Sequence, residues 1–170
     1  RIKSEPDKII VPTWPLGNKL QTFNAKLAEY FRSASPWMGD ADEIGFLKQA
    51  FDDKTSFEDL GDCEPRFRCL RGLEAKMGVA LMAMIEKNNQ ELFIEVQAEQ
   101  NRCHAKSDFL RGRQILRMLY KFIATHPLLH RVYGLLDISK MKYSGDHKMH
   151  EFYHSLRDVI DNRSATITDN

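Results

Sequence analysis

Apolar residues recur every three or four positions from Leu20 to Ile160, and four of the six prolines (Pro15, Pro36, Pro65 and Pro127) fall where these series begin or end. Such spacing puts side chains on one face of a helix. Proline is tolerated in the first turn of a helix but not in its interior. Together the two features predict a chain of helices separated by short breaks. Pro6, Pro12 and Pro15 exclude a helix from residues 1–15, which read as an extended arm. Ile9, Ile10, Val11 and Trp14 give that arm an apolar edge, able to dock on its own body or on another subunit.

Leu20, Phe23, Leu27, Tyr30 and Phe31 predict a first helix over about 16–34, closed by Pro36. Asp40 or Asp42 is placed to cap a second helix, with Ile44, Leu47 and Phe51 facing inward. Residues 52–62 are acidic and turn-like, anchored by Phe57 and Leu60. A long helix is expected over 64–87, with Pro65 in its first turn and Phe67, Leu70, Leu73, Met77, Leu81 and Met84 as its stripe. Gly72 and Gly78 within it point to close helix packing. Asn88 and Asn89 break it, and a helix over 90–104 follows through Leu92, Phe93, Val96 and Cys103. Ser107 is read as the cap of a helix over 108–125, with Ile115, Leu116, Leu119, Phe122 and Ile123 inward. His126-Pro127 ends it, because a residue before proline avoids the α region. A shorter helix over 128–137 and a linker from Ser139 to Gly145 are expected next. A last helix over 146–162 is expected to bury Met149, Phe152, Tyr153, Leu156, Val159 and Ile160, before a polar tail. With no βαβ alternation or convincing strand, the fold class is all-α.

With 42% hydrophobic and 29% charged residues, the chain reads as globular rather than disordered. A formal net charge of +1 leaves any polyanion contact to a local patch. No apolar run approaches the roughly 20 residues that span a bilayer, and Arg1–Pro15 lacks the apolar core of a signal peptide. Arg1 in place of Met points to an excised piece of a longer chain. Three cysteines (Cys63, Cys69 and Cys103) are too few and too odd for a disulfide framework and fit a reducing compartment.

The constellations that carry chemistry are sparse. His150 and His154 are four apart, so one helix face presents both, with His147 and Glu151 nearby. The order is not His-Glu-x-x-His, and a helix with several surface histidines is the plainer reading. Cys103-His104 has no second ligand pair at zinc spacing, so its thiol reads as a small packed group. Lys106, Arg111, Arg113, Arg117 and Lys121 are read as one basic helix, with Arg113, Arg117 and Lys121 repeating every four residues as a positive stripe. Such a stripe either neutralises phosphates or pairs with acids such as Asp40, Asp42, Glu43, Asp52 or Asp53, within or between subunits. Pairing or solvation is the preferred reading, since no aromatic residues interleave the cations as on base-stacking surfaces. No phosphate loop, nucleophile elbow or catalytic carboxylate pair is recognisable, so neither enzyme activity nor a cofactor is expected.

The segments Leu73-Glu74-Ala75-Lys76-Met77-Gly78-Val79-Ala80-Leu81, Gly112-Arg113-Gln114-Ile115-Leu116…Tyr120 and Leu135-Leu136-Asp137…Met141…Gly145-Asp146…Phe152…Leu156 resemble the capsid region of Gag polyproteins from copia-type LTR retrotransposons. The opening Ile10-Val11-Pro12-Thr13-Trp14-Pro15 is similar to the entry of such a domain. The resemblance implies a retroviral-capsid-like helical bundle: an arm at 1–15, an N-terminal domain at 16–138, and a linker plus the first helix of a C-terminal subdomain at 139–170. Gly145, Phe152 and Arg157 echo the major homology region that opens that subdomain, though the Gln-Gly start and the Glu of the retroviral pattern are absent. It further implies a cytoplasmic shell of pentamers and hexamers that packages element RNA, with no membrane or small-molecule partner. Trp14, Trp37, Met38, Leu128 and Leu129, near helix ends or on the arm, are the candidate subunit contacts. A domesticated Gag-like module that binds another protein, an RNA-coating nucleoprotein and a metal-dependent enzyme using His150 and His154 are the alternatives.

Overall fold

Leucine and phenylalanine at helical spacing fold as that spacing dictates. The computed structural model describes residues 4–15, 19–37, 42–125 and 145–164. Among these it is all-α, without a strand. The helices are α1 (Leu20–Ala34), α2 (Glu43–Lys48), α3 (Arg71–Asn88), α4 (Gln90–Ala105), α5 (Gly112–Thr125) and α6 (Met149–Ser164). The expected helix at 128–137, most of the 139–145 linker, and the contact candidates Met38, Leu128 and Leu129 lie outside the described residues. None of the described helices is long and apolar enough to cross a membrane.

One apolar core joins the arm to α5. Phe23, Leu27 and Phe31 of α1 enter it, as do Leu73, Met77, Leu81, Met84 and Ile85 of α3, Leu92 and Val96 of α4, and Ile115, Leu116, Leu119, Phe122 and Ile123 of α5. Phe46 stacks on Phe31 at 5.9 Å between ring centroids and tilts against Phe67 at 5.3 Å. The arm docks on its own body: Ile9 is buried, Val11 and Trp14 pack against the core, and Lys76 of α3 holds both the Glu5 carboxylate and the Pro6 carbonyl at 2.7 Å. Trp14 is therefore largely engaged within its own chain, whereas Trp37 stays 39% exposed.

Local chemistry sets the helix ends. Asp42 caps α2, its Oδ1 accepting from the Gly45 N–H at 2.7 Å. In that two-turn helix Phe46 and Leu47 are buried while Ile44 is exposed, so Phe46 takes the inward place expected of Ile44. The expected 64–87 helix divides into a 3-10 segment, Pro65–Leu70, and α3; its whole predicted stripe is buried. Asn89, read only as a breaker, also caps α4 by accepting from the Leu92 N–H at 2.9 Å.

Ser107 does not start a helix. It closes α4 with a positive φ of 59°. The Asp108 N–H reaches back to the Cys103 carbonyl at 3.0 Å and the Ser107 N–H to that of His104 at 2.9 Å, a Schellman closure that glycine usually occupies. Lys106 thus sits at the end of α4 and Arg111 before α5, so the five cations do not share one helix. The α5 cap is supplied by Gln114, whose Oε1 accepts from the Arg111 N–H at 2.9 Å, as the third residue of a capping box does.

Helices α3 and α5 cross at two glycines. A Cβ on Gly78 would sit 3.4 Å from the Gly112 Cα, and a Cβ on Gly112 would sit 2.5 Å from the Glu74 carbonyl oxygen. The close approach expected of Gly78 is present, and its partner is Gly112. Within α6, Met149 and Tyr153 are 53% and 54% exposed, contrary to their expected burial, while Phe152 and Leu156 are half-buried.

Candidate functional site

Gly112 sets the geometry of the most polar part of the interior. By letting α5 lie against α3, it brings the next turn, Arg113 to Arg117, beneath the segment 49–64. Arg113 and Arg117 are only 1% and 3% exposed. The Nε of Arg113 donates to Glu74 Oε1 at 3.0 Å, and its backbone N–H donates to the same oxygen at 3.1 Å. Its guanidinium also donates to the Gln49 side chain and to the carbonyls of Leu60 (3.3 Å) and Asp62 (2.7 Å). The cation lies 4.0 Å from the centroid of the Phe46 ring. Arg117 donates to four backbone carbonyls: Ala50, Gln49 (3.0 Å), Asp52 (2.6 Å) and Thr55 (3.1 Å). Between them, Gln114 donates to the Phe57 carbonyl at 3.0 Å.

These bonds replace the hydration that the segment 49–62 gives up. The segment opens with a 3-10 turn, Gln49–Phe51, and continues as tight turns that satisfy only part of its carbonyls, and each left unpaired would cost about 1–3 kcal/mol if buried alone. Two guanidiniums carry the fixed forks of donors that satisfy such a group of acceptors. The positive stripe expected at Arg113, Arg117 and Lys121 is therefore overturned. Its two arginines face the core and hold backbone, and among the described residues Arg113 pairs with Glu74 rather than with Asp42, Glu43, Asp52 or Asp53; Asp40 lies outside the described residues. Of the five cations, Lys106 and Lys121 are exposed, and Arg111 is half-buried and paired with Asp108 at 3.2 Å.

The same scaffold shapes a shallow polar cleft of about 370 Å3, lined by Gln49, Lys54, Thr55, Asp59, Asp62 and Glu64. Two of its carboxylates, Asp59 and Glu64, are engaged locally. Asp59 and Ser56 exchange side-chain-to-backbone hydrogen bonds at 3.3 and 3.0 Å, and Glu64 meets Gln49 at 2.8 Å and Arg66 at 2.9 Å. The Arg66 hydrogen bond, outweighing some desolvation and helped by Gln49 and by the Arg66 and Arg113 charges, holds the Glu64 carboxyl below its usual range. Among the described residues, no group of three or more His, Cys, Asp or Glu side chains converges as a metal site.

No family model, curated protein or solved structure matches this chain.

The remaining sequence candidates have definite places. Burial, reinforced by Glu99 and Asp108, pushes the Cys103 thiol above its ordinary pKa, which opposes the thiolate a nucleophile needs. The His104 ring packs edge-on to Phe109 at 5.5 Å. Gly145 adopts φ 97° and ψ 168°, a conformation essentially restricted to glycine, and starts the 3-10 turn Asp146–Lys148 that leads into α6. Phe152 is half-buried and Arg157 exposed. His150 and His154 are exposed, with their Nε2 atoms 3.1 Å apart. Sequence reasoning missed Glu74, Gln49 and Gln114. The Gly112-Arg113-Gln114 start of α5 carried the available signal, since a glycine there permits the close helix contact that buries the adjoining turn.

Proposed function

We propose that this chain is a structural, shell-forming domain of the Gag capsid type, whose copies associate through helical faces. The apolar series Met149, Phe152, Tyr153 and Leu156 on α6 carries this reading. These residues share one face, yet two are more than half exposed and two are half-buried. A second copy of the chain would cover that face, as closed symmetric assemblies require. The glycine turn at Gly145, which opens α6, agrees with the resemblance to the major homology region. Nucleic-acid packaging in such a shell is assigned to exposed cations such as Lys106 and Lys121, since Arg113 and Arg117 are spent inside the fold.

Negative-stain microscopy and mass photometry over a range of protein and salt concentrations test the proposal. Closed particles, or rings of five or six subunits, are expected for the wild-type chain. Met149→Asp with Tyr153→Asp should remove them while leaving the helical circular dichroism unchanged. A wild-type chain that stays monomeric in every condition would overturn the shell reading in favour of a helical protein-binding module.

A further inference from the structure

We infer that His150 and His154 form a two-point binding site for a divalent transition-metal ion on the exposed surface of α6. The two residues are four apart on one helix, so their rings rise from the same face one turn apart. Their ring centroids are 4.4 Å apart at 87°, and their Nε2 atoms converge to 3.1 Å. With metal–nitrogen bonds of about 2.0–2.1 Å, two nitrogens at right angles are roughly 2.9 Å apart and two at the tetrahedral angle roughly 3.3 Å. The observed 3.1 Å lies between these values. Adjacent octahedral positions and a tetrahedral edge are therefore both reachable with small ring movements. Imidazole suits zinc, copper and nickel alike.

The chemistry of the pair agrees with its geometry. In the neutral state a 3.1 Å Nε2···Nε2 contact is satisfied when one ring donates Nε2–H and the other accepts. Coordination needs both Nε2 lone pairs. The donating ring loses its Nε2 proton to solvent and takes one at Nδ1, leaving both rings neutral with Nδ1–H and both Nε2 atoms on the metal. Exposure of both side chains leaves the other coordination positions to water. The Tyr153 ring lies beside the pair, 6.1 Å from that of His154 and tilted at 72° to it. The site is independent of the shell-forming reading, because it uses one chain.

The test is calorimetric titration of the full, untagged chain with Ni2+ and, separately, Zn2+. One ion per chain is expected. His150→Ala or His154→Ala leaves a single imidazole, and affinity should fall about tenfold or more in each. His104→Ala serves as the control that leaves binding unchanged. Circular dichroism of each variant checks that its helices persist. Absence of binding up to millimolar metal overturns the inference. So does binding of undiminished strength in the double His150→Ala, His154→Ala variant, which would place the ion elsewhere, for instance on the thiols.

Discussion

The start of α5 and the start of α6 present the same spacing with opposite outcomes. Arg113 and Arg117 are four apart, charged and buried; Met149 and Tyr153 are four apart, apolar and exposed. Helical periodicity says which residues share a face. It does not say which way that face points. In α5 the direction is decided by the Glu74 carboxylate 39 residues away and by carbonyls 51 to 68 residues distant in sequence, which the guanidiniums satisfy. A charged side chain enters a core when enough carbonyls and one carboxylate await it there, whereas apolar spacing alone does not turn a residue inward.

The contrast can be broken by alanine at matched positions. Arg113→Ala should have the largest effect, about 3–5 kcal/mol of lost stability, because it strands a buried Glu74 together with the Leu60 and Asp62 carbonyls. Chemical denaturation measures this, and a loss below 1 kcal/mol would show that Arg113 is not a buried clamp. Replacing Arg113 and Glu74 together by methionine and leucine should restore part of the loss, since neither charge is then left alone. Arg117→Ala should cost about 2–4 kcal/mol through its four carbonyls. Its distinctive signature is faster amide exchange in residues 49–57, and unchanged protection there would mean that the loop is held by other groups.

Gly112→Ala is expected to cost about 1–3 kcal/mol, because the new methyl meets the backbone of α3 rather than a side chain able to move. A thermal midpoint equal to that of wild type would show that the crossing is looser than 2.5 Å implies. Tyr153→Ala closes the series, with a change within about 0.5 kcal/mol for the single chain. A loss similar to that of Arg117→Ala would place Tyr153 in a core and erase the contrast between the two helices.

Much of the body was legible from spacing. The stripe from Phe67 to Met84 is buried at every expected position, Asp42 caps where a short acidic side chain precedes an apolar run, and Gly78 marks a close crossing. Burial of at least one large residue every three or four positions leaves a helix little choice. The candidate site was far less legible. Surface charge is the ordinary fate of arginine, so Arg113 and Arg117 read as a solvated or anion-binding stripe until the carbonyls of 49–62 are seen against them. Ser107 misled for a similar reason: serine commonly begins helices, and here a left-handed backbone makes it end one. Phe46 rather than Ile44 faces inward because a helix of six residues has too few turns to fix its phase from sequence.

The arginine clamp also sets an order on synthesis. The segment 49–62 leaves the ribosome well before Arg113 and Arg117, which lie between 51 and 68 residues behind the carbonyls they hold. At about 5–20 residues per second, that is a delay of several seconds. Until α5 emerges, those carbonyls lack their guanidinium donors, with only the local Asp52 N–H to Gln49 and Thr55 N–H to Asp52 backbone bonds available to them within the segment, and Phe46 lacks the cation that later covers its ring. The first half of the body therefore cannot complete itself during translation; it waits for a helix made afterwards, and a chain stopped before residue 113 would carry an unfinished loop over an open core.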